Sequence, residues 1–202
     1  MKDNPAVRTG YHHGSLPAAL TAAALELLDE QGLEKVTVRE VARRAGVSAG
    51  APFRHFADRQ ALLTTVADLI LADLEQWQRD QVAAADGSAM RAIGLGFVRY
   101  AIRHPHRFEL VKSSVFRPGQ PAGLQARVSG IERAFTDLIV ADQNSGTLRP
   151  GDPALVALAG QALVYGLSQM IVDGFLPQAE AEHLAGQVLD LFGIGIANIP
   201  TT

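Results

Sequence analysis

The segment that most constrains the fold of this 202-residue chain is residues 37–56, TVREVARRAGVSAGAPFRHF. Thr37 followed by Glu40 is a capping box, in which each side chain bonds a free backbone N–H group of the first helical turn. Gly46 can adopt the left-handed conformation that ends a helix, and Ser48 is predicted to cap the helix that follows. Two short helices joined by a tight turn are the layout of a helix-turn-helix, a module that places its second helix against duplex DNA.

The second predicted helix has an anchoring side and an open side. Phe53 and Phe56, three residues apart, are expected to anchor it to its neighbours. Ala49, Gly50 and Ala51 are small, so the backbone there can approach the base edges of a duplex. The sequence therefore predicts a DNA-reading surface at the start of this helix.

Charge is distributed unevenly along the chain. Residues 35–59 hold six basic and two acidic side chains, a local charge of +4, whereas residues 61–202 hold ten basic and fourteen acidic ones, a charge of −4. A basic patch on an acidic body is typical of a surface that binds phosphates. The alternative for Arg43 and Arg44 is that they only solvate an exposed helix face.

Composition restricts the remaining possibilities. Apolar residues make up 48 % and charged residues 19 %, which argues against a disordered chain. The chain has no cysteine, so it has neither a disulfide framework nor a thiolate zinc site. Residues 1–8 lack the apolar run of a signal peptide, and we expect no segment long and apolar enough to span a membrane. These features favour a soluble, cytoplasmic protein.

Helical periodicity and capping residues predict an all-α fold of about nine helices. They begin after Ser15, at Thr37, Ser48, Asp58, Ser88 and Pro105, after the loop 118–121, and over about 152–175 and 177–196. We expect two domains, a three-helix unit at 1–60 and a larger helical domain at 61–202.

The helix predicted over 152–175 is apolar or small nearly all round between residues 154 and 170. Such a helix must be buried on every side, and a domain of about 140 residues covers only one side of it. A second subunit would cover the other side, with 177–196 completing a four-helix bundle. The alternative is the central helix of a monomeric bundle. Gly160 and Gly166 are expected to mark close helix contacts.

The chain resembles the TetR family of bacterial transcriptional regulators over about residues 13–63. The matching motifs are Gly14-Ser15-Leu16, Val38-Arg39-Glu40-Val41-Ala42, Ala45-Gly46-Val47-Ser48 and Phe53-Arg54-His55-Phe56. Residues 161–167 and 173–174 resemble a divergent WHG-type C-terminal domain, with Tyr165 at the position of its histidine. The resemblance implies a homodimer joined through 152–175 and 177–196. It also implies repression at a palindromic operator and release when a small molecule enters the C-terminal domain.

The family's DNA-binding positions carry over to ten residues: Thr37, Arg39, Ser48, Ala49, Gly50, Ala51, Phe53, Arg54, His55 and Arg59. The resemblance implies phosphate contacts from Thr37, Arg39, Ser48, His55 and Arg59, with thymine methyl contacts from Ala49 and Ala51. For Arg54 two contacts stay open, one with a phosphate and one with a guanine base. Phe53 replaces the usual tyrosine, so that residue's hydroxyl–phosphate contact is absent, and Pro52 limits how the helix bends. Two interpretations are open for the N-terminal residues Lys2, Arg8 and His12. They belong either to a basic arm that enters the minor groove or to a disordered tail.

Polar and aromatic side chains on the apolar stripes of the larger domain predict an effector site. The candidates are Trp77, Phe97, Tyr100, His104, Phe108, Phe116, Phe135, Gln161, Tyr165 and Gln169. An apolar pocket with a few convergent polar groups is typical of small-molecule sites, and the scarcity of charge favours a neutral, largely apolar ligand. The alternative for each aromatic is an ordinary core position.

Other classes of function are less consistent with the sequence. No acid, base or nucleophile cluster of an enzyme is present, and we expect no cofactor. His104 and His106 flank a proline and do not converge as helical metal ligands do, so no metal site is predicted. Two alternatives stay open: a ligand-independent architectural DNA-binding dimer, and a transcriptional activator of the same family.

Overall fold

A computed structural model describes residues 15–115 and 119–198, which confirm the all-helical prediction and contain no β-strand. In this part of the chain the α-helices are α1 Leu16–Gln31, α2 Val38–Arg44, α3 Arg59–Ala83, α4 Ala89–Arg103, α5 Pro105–Val115, α6 Ala122–Asn144, α7 Pro153–Val172 and α8 Gln178–Ile196. Two short 3₁₀ segments, Leu33–Lys35 and Pro52–Arg54, lie before and after α2.

The chain divides between Leu62 and Leu63 into two compact units. The N-terminal unit holds α1, α2 and the first residues of α3. Leu20 and Leu27 of α1, Val41 of α2 and Leu62 are fully buried in its core. The position of this division, two residues after the predicted one, falls inside α3.

The start of α2 follows from its sequence. The Thr37 hydroxyl accepts a hydrogen bond from the Glu40 backbone N–H at 3.2 Å, which is half of the predicted capping box. The Glu40 carboxylate bonds Arg43 in place of the Thr37 backbone, so the reciprocal half is absent from the structure. Gly46 has a φ of 69°, as a glycine that ends a helix requires.

The prediction of a continuous second helix over 48–56 is wrong. Residues 48–51 form a turn closed by the Ala51 N–H and the Ser48 carbonyl at 3.0 Å, and Pro52–Arg54 form a 3₁₀ segment. Pro52 has no N–H to donate to the Ser48 carbonyl, so the α-helical ladder is interrupted there. Ser48 is not the cap of this segment, because Ala51 precedes it and makes no side-chain cap bond.

The core of the C-terminal unit lies where α4 packs against α7 and α8. Leu95 and Val98 of α4 meet Ile171 of α7 and Ala185 and Leu189 of α8. A second cluster holds the end of α6 against the end of α8 through Ile139, Leu148 and Ile196, with Phe135 and Phe192 packed on it. Ser88 and Asp152, where the sequence predicts that helices begin, cap α4 and α7 through their side chains.

Among the described residues, no element of the C-terminal unit covers one face of α7. Leu155 and Leu158 are 63 % and 60 % exposed, and Leu191 and Ile194 of α8 are 69 % and 64 % exposed. The expected close contact at Gly166 is absent from the described chain, because a Cβ there would meet no atom within 4 Å. At Gly160 a Cβ would meet Phe192 at 3.5 Å and Phe135 at 3.7 Å, which is ordinary packing.

The expectation that no segment resembles a membrane span is wrong for α7. Its 20 residues carry no charge, and by length and composition alone the helix is able to cross a membrane. A single helix of this kind is weak evidence for a membrane span, since core helices of soluble proteins meet the same criteria of length and composition.

Candidate nucleic-acid interface

Most residues predicted to bind DNA lie on the surface of the N-terminal unit. The exposed ones are Thr37, Arg39, Ser48, Ala49, Gly50, Phe53, Arg54 and His55, whereas Ala51 and Arg59 are half-buried. A shallow depression of about 330 Å³ lies beside α2 and is lined by Thr37, Arg39, Glu40, Ala42, Arg43, Val47 and Ala49. The fold therefore brings Thr37 and Arg39, at the start of α2, next to Ala49, which lies after the turn.

Two arginines of the basic segment are paired with carboxylates. Arg43 Nε donates to both Glu40 oxygens at 3.1 and 2.9 Å. Arg44 donates to Glu30 of α1 through Nη1 at 2.8 Å and Nη2 at 2.6 Å. The bonds from Arg43 and Arg44 lower the pKa values of Glu40 and Glu30, which keeps both carboxylates ionised. The charges of these arginines are thus offset locally.

Arg39 and Arg54 differ from that pair. Both side chains are exposed, and within residues 15–115 and 119–198 neither has a recorded ion pair. They are the cations of the predicted set that the N-terminal unit leaves facing solvent. A phosphate would not have to compete with a protein carboxylate for either guanidinium.

Arg59 has a structural role that sequence reasoning missed. Its Nε donates to the Val36 carbonyl at 2.6 Å and its Nη2 to the Leu33 carbonyl at 2.7 Å, so it fixes the loop between α1 and α2. Three guanidinium N–H groups are left, and the phosphate contact stays a prediction for them. No local pattern indicates this role, because the partners lie 26 and 23 positions away in sequence.

The two phenylalanines of the turn segment behave differently. Phe56 is 7 % exposed and anchors the segment as predicted, and Pro52 is buried beside it. Phe53 is 59 % exposed, so the expectation that it anchors the segment is wrong. Its ring lies in solvent with Ala49 and Gly50.

Three of the ten predicted effector residues form an aromatic cluster in the C-terminal unit. The Phe108 and Tyr165 rings are 5.3 Å apart, and Phe97 lies 6.1 Å from Phe108 and 6.4 Å from Tyr165. Burial raises the pKa of Tyr165, so its hydroxyl is neutral. Phe116 lies outside the described residues.

A second group of predicted residues ties α3 to α4. The Trp77 indole N–H donates to the Gly96 carbonyl at 2.8 Å, and the Tyr100 hydroxyl donates to Asp73 at 2.7 Å. The Tyr100 ring also lies 6.0 Å from Trp77 and 4.9 Å from His104. These contacts of Trp77 and Tyr100 are typical of core residues. An ordinary core position is the alternative that the sequence leaves open for each aromatic.

The remaining candidates are dispersed. Gln161 is exposed on the bare face of α7, Phe135 packs near Gly160, and Gln169 bonds Lys112 and Asp173 at 2.8 and 2.7 Å. Sequence reasoning missed Ser168, which is fully buried and whose hydroxyl has no hydrogen-bond partner among the described residues. In the same part of the chain, no group of three or more metal-ligating side chains occurs.

Comparison with known proteins extends over both units. The family profile described as "Bacterial regulatory proteins, tetR family" matches residues 20–66, and the one described as "Tetracyclin repressor-like, C-terminal domain" matches residues 90–192. The class A tetracycline repressor from transposon 1721 of Escherichia coli is 40 % identical over 57 residues. That match spans 28 % of this chain and 26 % of the relative.

Solved structures share the whole fold. A protein of unknown function from Rhodococcus sp. RHA1 has a TM-score of 0.84 at 28 % identity, over 94 % of this chain and 100 % of its own. A TetR-family transcriptional regulator from Pectobacterium atrosepticum has a TM-score of 0.74 at 19 % identity, over 92 % and 95 % of the two chains.

A helix-turn-helix unit followed by an all-helical unit defines this protein as a DNA-binding transcriptional regulator. With profiles matching both units, the chain belongs to the TetR family. Proteins of this family regulate transcription and are not enzymes.

Proposed function

We propose that this protein is a homodimeric repressor that binds a palindromic operator and is released by a small, largely apolar ligand. The observation that carries the proposal is the exposure of Thr37, Arg39, Ala49, Phe53 and Arg54 on the N-terminal unit, where the first three line one shallow depression. It combines unpaired cations with small and apolar side chains. Cations that bind phosphates position a protein on the duplex, and the groups between them contact base edges.

Dimerisation through α7 and α8 is supported by their bare apolar face. Leu155, Leu158, Leu191 and Ile194 are each at least 60 % exposed. Several large apolar side chains left exposed on packed helices are typical of a protein interface. Gly166 lies on the same face with open space above it, where a partner helix can approach closely. Two copies related by a twofold axis would present two recognition segments to a palindrome.

Ligand binding in the C-terminal unit is supported by the cluster of Phe97, Phe108 and Tyr165. These rings offer apolar contacts, and the neutral Tyr165 hydroxyl offers a hydrogen bond. Ser168 adds a buried hydroxyl on the same helix as Tyr165. A ligand that is mostly apolar with one or two hydrogen-bonding groups fits this chemistry, and the site of action would be the cytoplasm.

The test begins with selection of binding duplexes from a random pool by the full-length protein, followed by footprinting and sedimentation. We expect a palindromic footprint and one dimer, or a pair of dimers, on each duplex. A monomeric protein that selects no sequence would overturn the proposal.

A screen of apolar metabolites then separates the repressor from the alternatives. Compounds that raise the melting temperature are tested for release of the selected duplex. An architectural binder would keep its DNA affinity with every compound. An activator would bind upstream of a promoter that loses activity when the protein is deleted.

A further inference from the structure

We propose that Phe53, together with Ala49 and Gly50, recognises thymine through its 5-methyl group, which makes Phe53 a specificity-determining residue. The inference rests on the proposed DNA binding and names the base feature that is read. It differs from the sequence expectation, which assigned methyl contacts to Ala49 and Ala51 and none to Phe53.

The exposure of Phe53 is the first observation. The turn segment holds two phenylalanines, and only Phe56, at 7 % exposed, belongs to the core. Phe53 leaves 59 % of its surface in water although Pro52 next to it is buried. A large aromatic side chain held in solvent contributes little to folding, and at an interface it supplies a large contact area at low entropic cost.

The chemistry of its neighbours is the second observation. Ala49 and Gly50 are exposed, and a Cβ at Gly50 would meet nothing within 4 Å. The side chains at positions 49, 50 and 53 have no hydrogen-bond donor or acceptor, so they discriminate bases only through apolar contact. The thymine 5-methyl is the one apolar group on the major-groove edge of the four bases.

The surrounding charge identifies duplex DNA as the occupant of this surface. Residues 35–59 carry a net charge of +4, and Arg39 and Arg54 are exposed on the same unit as the apolar residues; Arg39 and Ala49 line one depression. An apolar protein partner would not need these cations. Phosphate contacts from these arginines would hold the apolar residues against the base edges, where burial of a methyl group is favourable.

Phe53 also lacks the hydroxyl with which a tyrosine would bond a phosphate. Its ring therefore has only apolar contact to offer to the duplex. Ala51 is half-buried, which leaves Phe53 as the larger of the apolar groups available to a base.

The experiment uses the full-length protein and the duplex obtained by selection and footprinting. Each thymine in the footprint is replaced singly by 2′-deoxyuridine, which removes only the methyl group. We expect at least one thymine in each half-site whose replacement weakens wild-type binding about fourfold, the equivalent of about 0.8 kcal/mol for one buried methyl. At the same position, 5-methylcytosine should bind more tightly than cytosine by a similar factor.

A double-mutant cycle assigns the effect to Phe53. In Phe53→Ala the penalty for 2′-deoxyuridine at that thymine should vanish, whereas Phe53→Leu should keep part of it. Leu69→Ala is the matched control, since Leu69 is an apolar side chain of α3 that is 45 % exposed, and it should keep the full penalty. Circular dichroism verifies that the variants are folded.

The outcomes separate this inference from the function on which it rests. If duplexes are selected but no deoxyuridine replacement weakens the wild-type protein, methyl recognition is refuted while DNA binding stands. A penalty that persists unchanged in Phe53→Ala refutes the role of Phe53. If no duplex is selected, the proposed function fails and this inference fails with it. The deoxyuridine scan of the wild type requires no folded variant.

Discussion

Arg59 is the first residue of α3, and its guanidinium closes the loop that follows α1. It donates to the carbonyls of Leu33 and Val36, and the Leu33 carbonyl also accepts the Val36 backbone N–H at 3.2 Å. A side chain that bonds part-buried backbone in this way stabilises a unit more than an exposed cation does, because its removal takes a donor away from each carbonyl.

We expect Arg59→Ala to lower the free energy of unfolding by about 1–3 kcal/mol, because the Val36 carbonyl loses its donor and the Leu33 carbonyl keeps only the Val36 N–H. Urea denaturation followed by circular dichroism measures this change. Arg54→Ala is the matched control, an exposed arginine whose loss should change stability by less than about 0.5 kcal/mol. Equal stability of Arg59→Ala and the wild type would show that these hydrogen bonds contribute nothing.

For Arg54 we expect the loss to appear in DNA affinity. Its side chain is exposed and follows Phe53 in the sequence, so Arg54→Ala should weaken binding to a selected operator by about 1–3 kcal/mol. Fluorescence anisotropy with the operator and with single-base variants measures it. Relaxed preference at one base pair would assign Arg54 to a guanine, and a uniform loss across sequences would assign it to a phosphate. An unchanged affinity would remove Arg54 from the interface.

At the scale of elements, α3, α4 and α5 of the C-terminal unit meet at one carboxylate. Asp73 of α3 accepts from the Tyr100 hydroxyl of α4 at 2.7 Å and from Arg107 of α5 at 2.9 Å. Tyr100 is 3 % exposed, and burial raises the pKa of its hydroxyl. The hydroxyl therefore stays protonated and donates its proton at neutral pH.

Tyr100→Phe should lower the free energy of unfolding by about 1 kcal/mol, since one hydrogen bond is lost while the ring packing is kept. Asp73→Ala, which removes both bonds, should cost more. Because the folded-state pKa of Tyr100 is raised, the tyrosine's contribution is constant below its usual pKa of 10.0 and is lost only as the pH rises above that value. Thermal unfolding at pH 7 and pH 10.5 measures both effects. A Tyr100→Phe variant as stable as the wild type at pH 7 would contradict this account.

Helix ends were the features most accessible to sequence reasoning. Thr37 caps α2 as predicted, since a cap depends on residues at most three positions away, and the helices predicted to begin at Ser88 and Asp152 are capped by those side chains. The cap predicted at Ser48 is absent. The pairing of Arg44 with Glu30 was not predictable, because the two lie on different helices 14 positions apart. Pro52 lies between these two cases. Its residue type shows that it has no N–H to donate, but the sequence does not show whether packing would keep the segment helical despite that loss.

In the candidate DNA-binding site, too, local features were predictable from the sequence and contacts between distant residues were not. Exposure of Arg39, Ala49 and Arg54 followed from the helix-turn-helix pattern. The solvent position of Phe53 did not, since a phenylalanine beside an apolar turn is ordinarily a core residue. In the C-terminal unit, the effector candidates Tyr165 and Phe108 lie 5.3 Å apart, but the sequence could not place Gln161 on the exposed face of α7.

At the scale of the whole molecule, the proposed dimer depends on the exposed apolar face of α7 and α8. We expect the double variant Leu158→Glu, Leu191→Glu to be monomeric and to lose operator affinity, because it introduces two like charges per subunit at the centre of an apolar interface. Light scattering and sedimentation measure the mass. Leu69→Glu, an exposed leucine of α3, is the control and should stay dimeric. A double variant with the mass of a dimer would place the interface elsewhere.

The salt dependence of operator binding tests which cations reach phosphates in the proposed dimer. Each phosphate contact contributes about −0.9 to the slope of log K against log salt concentration on duplex DNA. Arg39 faces solvent without a recorded ion pair in the described part of the chain, so Arg39→Ala should reduce the slope by about 2, one contact from each subunit. Arg44 is held by Glu30 through two hydrogen bonds, so Arg44→Ala should leave the slope unchanged. Equal changes in slope for the two variants would mean that local ion pairing does not decide which arginines bind the duplex.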